Sequence, residues 1–567
     1  MKKYINYIHA LILLLTLNAC NDFFELQVPP QPSAFQSVSN FELTAMGAYN
    51  AAFTNDNYNE IGWDNIYGYD VVLDYCSSDL ARYVGSIHNF PHIINNDRSF
   101  SQPFGSKLDV PYLSAYRAIG VCNSTLDYVG ANDGNPFPIA TQKDNDLNVK
   151  RVIGELHFMR AFSYFFLVRT FHPNYVPGGD NSFKKIALRK TMASDLDQAL
   201  SPVRGSTQEI YDFIVADLEK AKTLLPERFA EGMNPGYKYG RANKYVAEAI
   251  LARVYMLMGR FDSSSGAGNA LENLNDIIDK GGYDLEPEPY SNFNRGTDNY
   301  ATANKEIIWE LFAAVKPAHN SYTPSAMTHF SKCGMFRVGQ SGGRSVIEFS
   351  QNSWGQYSLN NSYLKKKLKW ITDVPIDEEP TDIAKNDKRF NQLYYFYYKY
   401  DPAAGRKNIT NLKSDCQNGC DKEKHSTIWV DKHYRALDAR NQNTPIVRYA
   451  EILIHKAAIL LKNGDKVGAA KELDKITKRA WAGAPSAYVP VTDATITDEM
   501  LTTEYIKELA GEGTWMIYLH AFKKPIPQGD HKDNYWMVDK PELAILPPYS
   551  NQYWPIPASE DLFNKTN

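Results

Sequence analysis

The acidic residues Asp373, Asp377, Glu378, Glu379 and Asp382 are the first candidates for chemistry in this chain. Glycoside hydrolysis uses two carboxylates at a set separation across the scissile bond. This run has the groups, but it lies in the least periodic part of the sequence and reads as a solvated loop. His88 and His92 stand at i, i+4, yet Pro91 between them argues against a shared helix, so a hydrogen-bonded surface pair is favoured over a metal site. Cys416, Cys420 and His425 border a polar loop with a spacing that fits no standard zinc pattern. That loop could carry a Cys416–Cys420 bridge. Gly339-Gln340-Ser341-Gly342-Gly343 is an isolated glycine-rich turn and weak evidence for phosphate binding. No G-x-S-x-G elbow, H-E-x-x-H pair or Walker loop is present. The expectation is a protein that is not an enzyme and takes no metal or cofactor.

Binding has better material. Aromatic residues make up 13% of the chain and gather in two irregular stretches beside Asp, Asn and Arg. The first runs from residue 55 to 98 and holds Trp63, Tyr67, Tyr69, Asp70, Asp79, Arg82 and Tyr83. The second, 316–380, holds Tyr322, His329, Phe336, Arg337, Trp354, Tyr357 and Trp370, and is followed by the aromatic run from Phe390 to Tyr400 (FNQLYYFYYKY), read as a strand or a loop lining. Sugars present apolar C–H faces and polar hydroxyl edges, so aromatic platforms beside such polar groups suit them. For any single ring, core packing is the commoner role. A long irregular region between helices is where function is usually carried.

These stretches must be held by helices. Thr444 to Gly483 reads as two antiparallel helices. Ile446, Tyr449, Ala450, Leu453, Ala457, Leu460 and Leu461 form one apolar stripe, with Arg448, Glu451, His455 and Lys462 on the opposite side. Gly464 can end the first helix and Asp465 cap the second, whose stripe is Val467, Ala470, Leu473, Ile476 and Ala480. Ala242–Met258 and Asn269–Lys280, parted by Gly259, form a second hairpin, and such hairpins are the unit of a tetratricopeptide-like solenoid. Lys150 to Phe171 is apolar almost all round and must be buried, its ladder of Phe158, Phe162, Phe165 and Phe166 serving as core. Arg151 and Glu155 stand four apart in it. Ser206-Thr207-Gln208-Glu209 is a capping box that opens a further helix. Phe41–Phe53, Tyr112–Tyr128 and Thr503–Phe522 also read as helices, and Asn304–Leu311 as a strand.

The N-terminus is a targeting segment: Lys2 and Lys3 precede a short apolar run, Ile8 to Leu17, and then Leu17-Asn18-Ala19-Cys20. That tetrapeptide resembles a bacterial lipobox with Cys20 as the lipidation site. Residues 1–19 are read as a lipoprotein signal peptide, 20–40 as a lipidated N-terminus and tether, and 41–567 as a single domain on that tether. Loss of Lys2 and Lys3 would take the formal charge from -4 to -6, and no basic tract is present, so nucleic acid is not an expected partner.

Several of these stretches resemble one family. PIVRYAEILIHKAA…NGD…AAKEL…RAWAG, GELHFMRAFSYFFLVRTF…VP, NKEIIW and the closing Tyr553-Trp554-Pro555-Ile556-Pro557 are similar to motifs of the SusD/RagB outer-membrane nutrient-binding lipoproteins. The match departs at Ala458, where the pattern has Glu, and at Trp515 and His520, near positions where Arg is usual. The resemblance implies an all-α-dominated, tetratricopeptide-like solenoid. Its hairpins lie near 241–281 and 444–483, with long irregular loop insertions, a few short strands and a ligand-binding insertion near 316–400. It implies a surface-exposed lipoprotein, anchored in the outer membrane through Cys20, which captures an oligosaccharide or polysaccharide for a SusC-like TonB-dependent transporter. Peptide capture is the alternative and glycan hydrolysis a lesser one. By segment and order, the family's ligand face maps to Trp63, Arg82, Tyr83, Tyr112, Tyr322, Arg337 and Trp354, with Tyr112 placed by a local motif.

Overall fold

The computed structural model describes residues 37–53, 66–77, 81–83, 108–137, 141–238, 240–293, 304–311, 337–341, 344–348, 357–359, 367–370, 380–397, 427–430, 443–527, 544–549 and 552–557, and the single residues 372, 432 and 560. The principal helices are α1 (Val38–Phe53), α2 (Ile66–Ser77), α3 (Asp109–Ala131), α4 (Lys150–Phe171), α5 (Thr207–Leu224), α6 (Lys244–Leu257), α7 (Ala270–Lys280), α8 (Lys388–Leu393), α9 (Tyr449–Lys462), α10 (Lys466–Ala480), α11 (Asp498–Leu509) and α12 (Trp515–Ala521). The strands are β1 (Ala81–Tyr83), β2 (Lys184–Ala187), β3 (Arg204–Ser206), β4 (Ile307–Leu311), β5 (Arg337–Ser341), β6 (Arg344–Glu348), β7 (Tyr357–Leu359), β8 (Tyr394–Tyr397), β9 (Thr427–Val430) and β10 (Thr444–Arg448). Helices dominate, as the sequence implies. Among the described residues no helix is long and apolar enough to cross a membrane.

Helix α4 is the axis of the N-terminal half. Every residue from Arg151 to Val168 is buried, because α1, α3 and α5 pack around it. Phe158 and Phe162 meet the β4 indole of Trp309 edge-on at 5.2 and 5.1 Å, so the phenylalanine ladder is core. Charges carried into this core are paired. Arg151 bonds Glu42 and Glu155, and Arg241 closes the square on the same two carboxylates. Arg160 holds Asp217 with two hydrogen bonds of 2.7 and 2.8 Å. The capping box forms as read: Ser206 Oγ accepts from the Glu209 amide, and Glu209 accepts from the Ser206 amide.

Both hairpins are present. Gly259 (φ +73°) ends the α6 turn and Gly464 (φ +86°) the α9 turn, each in the left-handed region that glycine enters without cost. Asp465 caps α10 through the Gly468 amide at 2.8 Å. Four details differ from the sequence reading. Thr444–Arg448 is a strand paired with β4, so Ile446 belongs to a sheet and α9 starts at Tyr449. Arg448, Glu451 and His455, assigned to the polar side, are buried, because α9 packs against α7, α10 and α11 and its polar face meets charges of opposite sign. Val467 is exposed and lies outside the second stripe. The stretch read as one helix from Thr503 to Phe522 is two helices, α11 and α12, broken where Gly511 (φ +83°) and Gly513 (φ +72°) turn the chain.

Candidate functional site

Four short strands from four distant parts of the chain form one sheet, in the order β1-β7-β9-β8. All three pairings are antiparallel. Residues directly opposite share a face, and successive residues alternate between faces. Tyr394 pairs with Val430, and both are buried, which identifies the core side of the sheet. The adjacent pair in the register is Tyr395 with Trp429. The register continues from Trp429 to Ser358 on β7 and from Ser358 to Arg82 on β1. Arg82, Ser358, Trp429 and Tyr395 are thus successive register partners that make a single row of positions across all four strands.

The sheet is mounted on the break between α11 and α12. A helix leaves its last carbonyls and first amides without partners inside the helix, and here the sheet's own elements supply them. On β8, the Tyr394 hydroxyl lies 2.9 Å from the Ile506 carbonyl and 3.1 Å from that of Lys507. Two residues past β9, Lys432 Nζ donates to the Glu508 carbonyl at 2.6 Å and to Glu512 Oε1 at 2.7 Å. From α2, which leads into β1, the two Asp74 carboxylate oxygens accept the Trp515 and Met516 amides at 2.7 and 3.0 Å. Tyr67, also on α2, donates toward the Pro445 and Glu512 carbonyls. Gly513 (φ +72°) takes the left-handed backbone of the turn into α12, with Asp70 and Val71 of α2 in ordinary contact beside it.

Behind this mount lies a buried ion network. Arg448 Nε and Nη2 hold Glu512 at 2.7 Å each, and Nη1 meets Glu306 and Glu508. Arg479 Nη2 donates to Glu508 at 2.6 Å, and Arg389 Nη2 to Glu504 at 2.6 Å. Burial pushes the Glu508 carboxyl up, but Arg479, Arg448, Arg389 and Lys432 outweigh it and hold the group at about 2. Burial also pulls the Lys432 ammonium down to about 8, against Glu512. Asp74 is raised by burial to about 7 although it accepts two amides. The network clamps Glu306, the residue before β4, together with β10, α8, α10 and α11, with each carboxylate matched to a cation.

The sequence-derived ligand residues are distributed as follows. Arg82 and Tyr83 are consecutive residues of β1, paired with Ser358 and Tyr357 of β7. Arg337 begins β5, in a separate two-stranded sheet with β6. Tyr112 is a core residue, 1% exposed, with its ring edge-on to Phe171 at 5.1 Å and beside Tyr116 at 4.9 Å. It offers no open face for stacking. Trp63, Tyr322 and Trp354 lie outside the described residues, as do Cys20, Cys416, Cys420, His425, His88 and His92. Ser358 and Trp429 were missed by the sequence reading, because only strand pairing across long separations brings them to Arg82. Tyr395 sits in the aromatic run from Phe390 to Tyr400, and only the strand pairing brings it opposite Trp429. Among the described residues no group of three or more His, Cys, Asp or Glu is placed to hold a metal ion.

A helical-hairpin solenoid carrying a small aromatic sheet defines the class, and comparison with known proteins gives the family. Residues 92–256 match a SusD-like model described as "Starch-binding associating with outer membrane", and residues 305–561 match the model of the SusD family. The chain belongs to the SusD/RagB family. It is 26% identical over 298 residues to SusD-like protein P2 of Formosa agariphila, a match covering 51% of this chain and 49% of that protein. The chain thus spans about half the length of that curated relative. Among solved structures it is similar to a SusD superfamily protein of Bacteroides fragilis (TM-score 0.63, 19% identity, 94% of this chain and 99% of that one). It is also similar to a SusD-like carbohydrate-binding protein of Bacteroides fragilis NCTC 9343 (0.62, 20%, 94% and 99%). A third is surface glycan-binding protein A of Bacteroides uniformis (0.61, 18%, 92% and 97%). At these identities the likenesses establish the fold.

Proposed function

We propose that this protein is a cell-surface glycan-binding lipoprotein that captures an oligosaccharide or polysaccharide and delivers it to a SusC-like TonB-dependent outer-membrane transporter. The observation that carries the reading is the row Arg82–Ser358–Trp429–Tyr395. Flat rings stack on the C–H faces of sugars, and an arginine fork donates paired hydrogen bonds to vicinal hydroxyls or to a uronate. Trp63, Tyr83, Tyr322, Arg337 and Trp354 come from segments that the family resemblance assigns to the same ligand face. The names of the similar structures, which speak of carbohydrate and glycan binding, agree with this reading. Cys20 would carry the lipid that holds the protein at the outer membrane.

Calorimetry against malto-, xylo- and uronate-containing oligosaccharides, with short peptides in parallel and analysis for released products, tests the reading. One glycan class should bind, without hydrolysis. Trp429→Ala or Tyr395→Ala should remove on the order of 1–3 kcal/mol of binding while the fold persists, by analogy with interface anchors. Tight binding of peptides alone would replace this reading with peptide capture, and shortened glycan products would replace it with hydrolysis. For anchoring, Cys20→Ala should move the protein out of the outer-membrane fraction when the transporter is absent.

A further inference from the structure

The break between α11 and α12 offers free helix ends in one place, and three segments that carry or lead into the sheet are fastened to it. The charges suit the ends. Lys432 sits at the C-terminal, electronegative end of α11, and Asp74 at the N-terminal, electropositive end of α12. Tyr394 and Lys432 take consecutive carbonyls, those of Ile506, Lys507 and Glu508, so β8 and β9 are fixed relative to each other through α11 as well as through their own ladder. Asp74 fixes the helix before β1 to the other side of the break. The row of Arg82, Ser358, Trp429 and Tyr395 spans the strands so fastened.

From this geometry we infer that Lys432, Tyr394 and Asp74 are positioning residues that set the spacing of the ligand row, with the α11–α12 break as their common mount. The inference rests on the reading of that row as the ligand face. None of the three lies in the row. Each has a substitution that keeps most of its packing. Tyr394→Phe keeps the buried ring and loses only the hydroxyl. Lys432→Met leaves both its acceptors with Arg448, which bonds the Glu508 carbonyl at 3.1 Å and Glu512 at 2.7 Å. Asp74→Asn keeps the shape of the cap but offers only one acceptor oxygen. Asp74 faces Asp70, Arg169 and His520 around a small cavity at this joint. It changes charge near pH 7. Its protonated form, like Asn, accepts less well than the carboxylate.

The experiment uses the full chain and the tightest-binding oligosaccharide of the panel named above. Amide exchange is read on peptides covering 394–397 and 427–430, with α4 as the internal reference, alongside Kd. Tyr394→Phe and Lys432→Met should each raise exchange in the two strands about tenfold, leave α4 unchanged, and weaken Kd about five- to tenfold. Wild-type Kd should weaken several-fold from pH 8 to pH 6, whereas Asp74→Asn should be flat and equal to the wild type at pH 6. Unchanged strand exchange overturns the inference, and so does loosening that reaches α4 equally, which would mark a merely structural role. If Trp429→Ala weakens binding but Tyr394→Phe and Lys432→Met do not, the positioning idea falls while the ligand face stands. If none of the three affects binding, the ligand-face reading fails and takes the inference with it.

Discussion

Arg253 on α6 grips Glu451 on α9 with two hydrogen bonds of 2.7 Å and uses its remaining reach for the Ile446 carbonyl at 2.9 Å. The pair is buried, and it ties one helical hairpin of the solenoid to the other. Taking one partner from a buried pair leaves an uncompensated charge. Glu451→Leu should therefore cost about 3–5 kcal/mol, and the double variant Arg253→Met, Glu451→Leu distinctly less, because it removes both charges. Urea unfolding of the three proteins gives the comparison. Equal losses in the single and double variants would show that packing rather than charge dominates this contact.

Leu453 and Val467 separate the inside of the second hairpin from its outside. Leu453 is 0% exposed and Val467 68% exposed. Leu453→Ala should destabilise the protein by about 2–5 kcal/mol through the cavity it leaves. Val467→Ala should stay within about 0.5 kcal/mol, as surface changes away from special features do. Thermal unfolding of both variants distinguishes the two sites.

His455 gives the protein an acid-sensitive joint. The ring is buried between hairpins and stacks on Tyr505 at 5.9 Å. Burial pulls its pKa to about 4, against the neighbouring Glu451. The folded-state value lies below the unfolded one. The stabilisation from keeping the ring neutral is therefore full above the ordinary histidine pKa, near 6.5, and is lost as pH falls from there toward 4. Within that window each pH unit changes stability by up to about 1.4 kcal/mol. His455→Gln should flatten this part of the stability profile. An unchanged slope between pH 6.5 and 4.5 in chemical-denaturation curves would place the acid sensitivity elsewhere.

The helices were legible because their signals are local. The Ser206 box, the Gly259 and Gly464 stops and the all-round apolar α4 each declare themselves within one or two turns. What the sequence concealed depends on partners far along the chain. Arg448 and His455 look like solvent-facing polar residues until Glu306, Glu508 and Tyr505 arrive from elsewhere to bury them. Thr444–Arg448 reads as the start of a helix until β4 pairs with it. The Gly511 and Gly513 break inside an apparently continuous helix was visible as composition, but its use was not, since it matters only where Asp74 and Lys432 meet the two ends. The candidate site was half legible. Arg82 was named for its chemistry, and Tyr395 lay in a marked aromatic run, but Trp429 gains a place beside them only through the order of the sheet.

Tyr112 tests where a family motif and physical burial part ways. The sequence resemblance puts it at the start of a ligand-facing helix, yet α3 packs against α4 and the ring is enclosed. Phe171 meets it edge-on and Tyr116 lies against it, an arrangement of aromatic edges and faces that stabilises a core beyond area burial alone. Truncation to alanine removes the ring from both contacts and opens a cavity. Tyr112→Ala should cost about 3–5 kcal/mol of stability, in the range of large aromatic truncations. Tyr112→Phe, which keeps the ring, should cost far less. The folded fraction of Tyr112→Ala should bind the panel glycan with the wild-type Kd, whereas Trp429→Ala should keep its stability and lose affinity. A Tyr112→Ala protein with wild-type melting and lost affinity would put this ring on the ligand face after all. The crossed pattern of stability and binding in these two variants separates the core of the fold from its working surface.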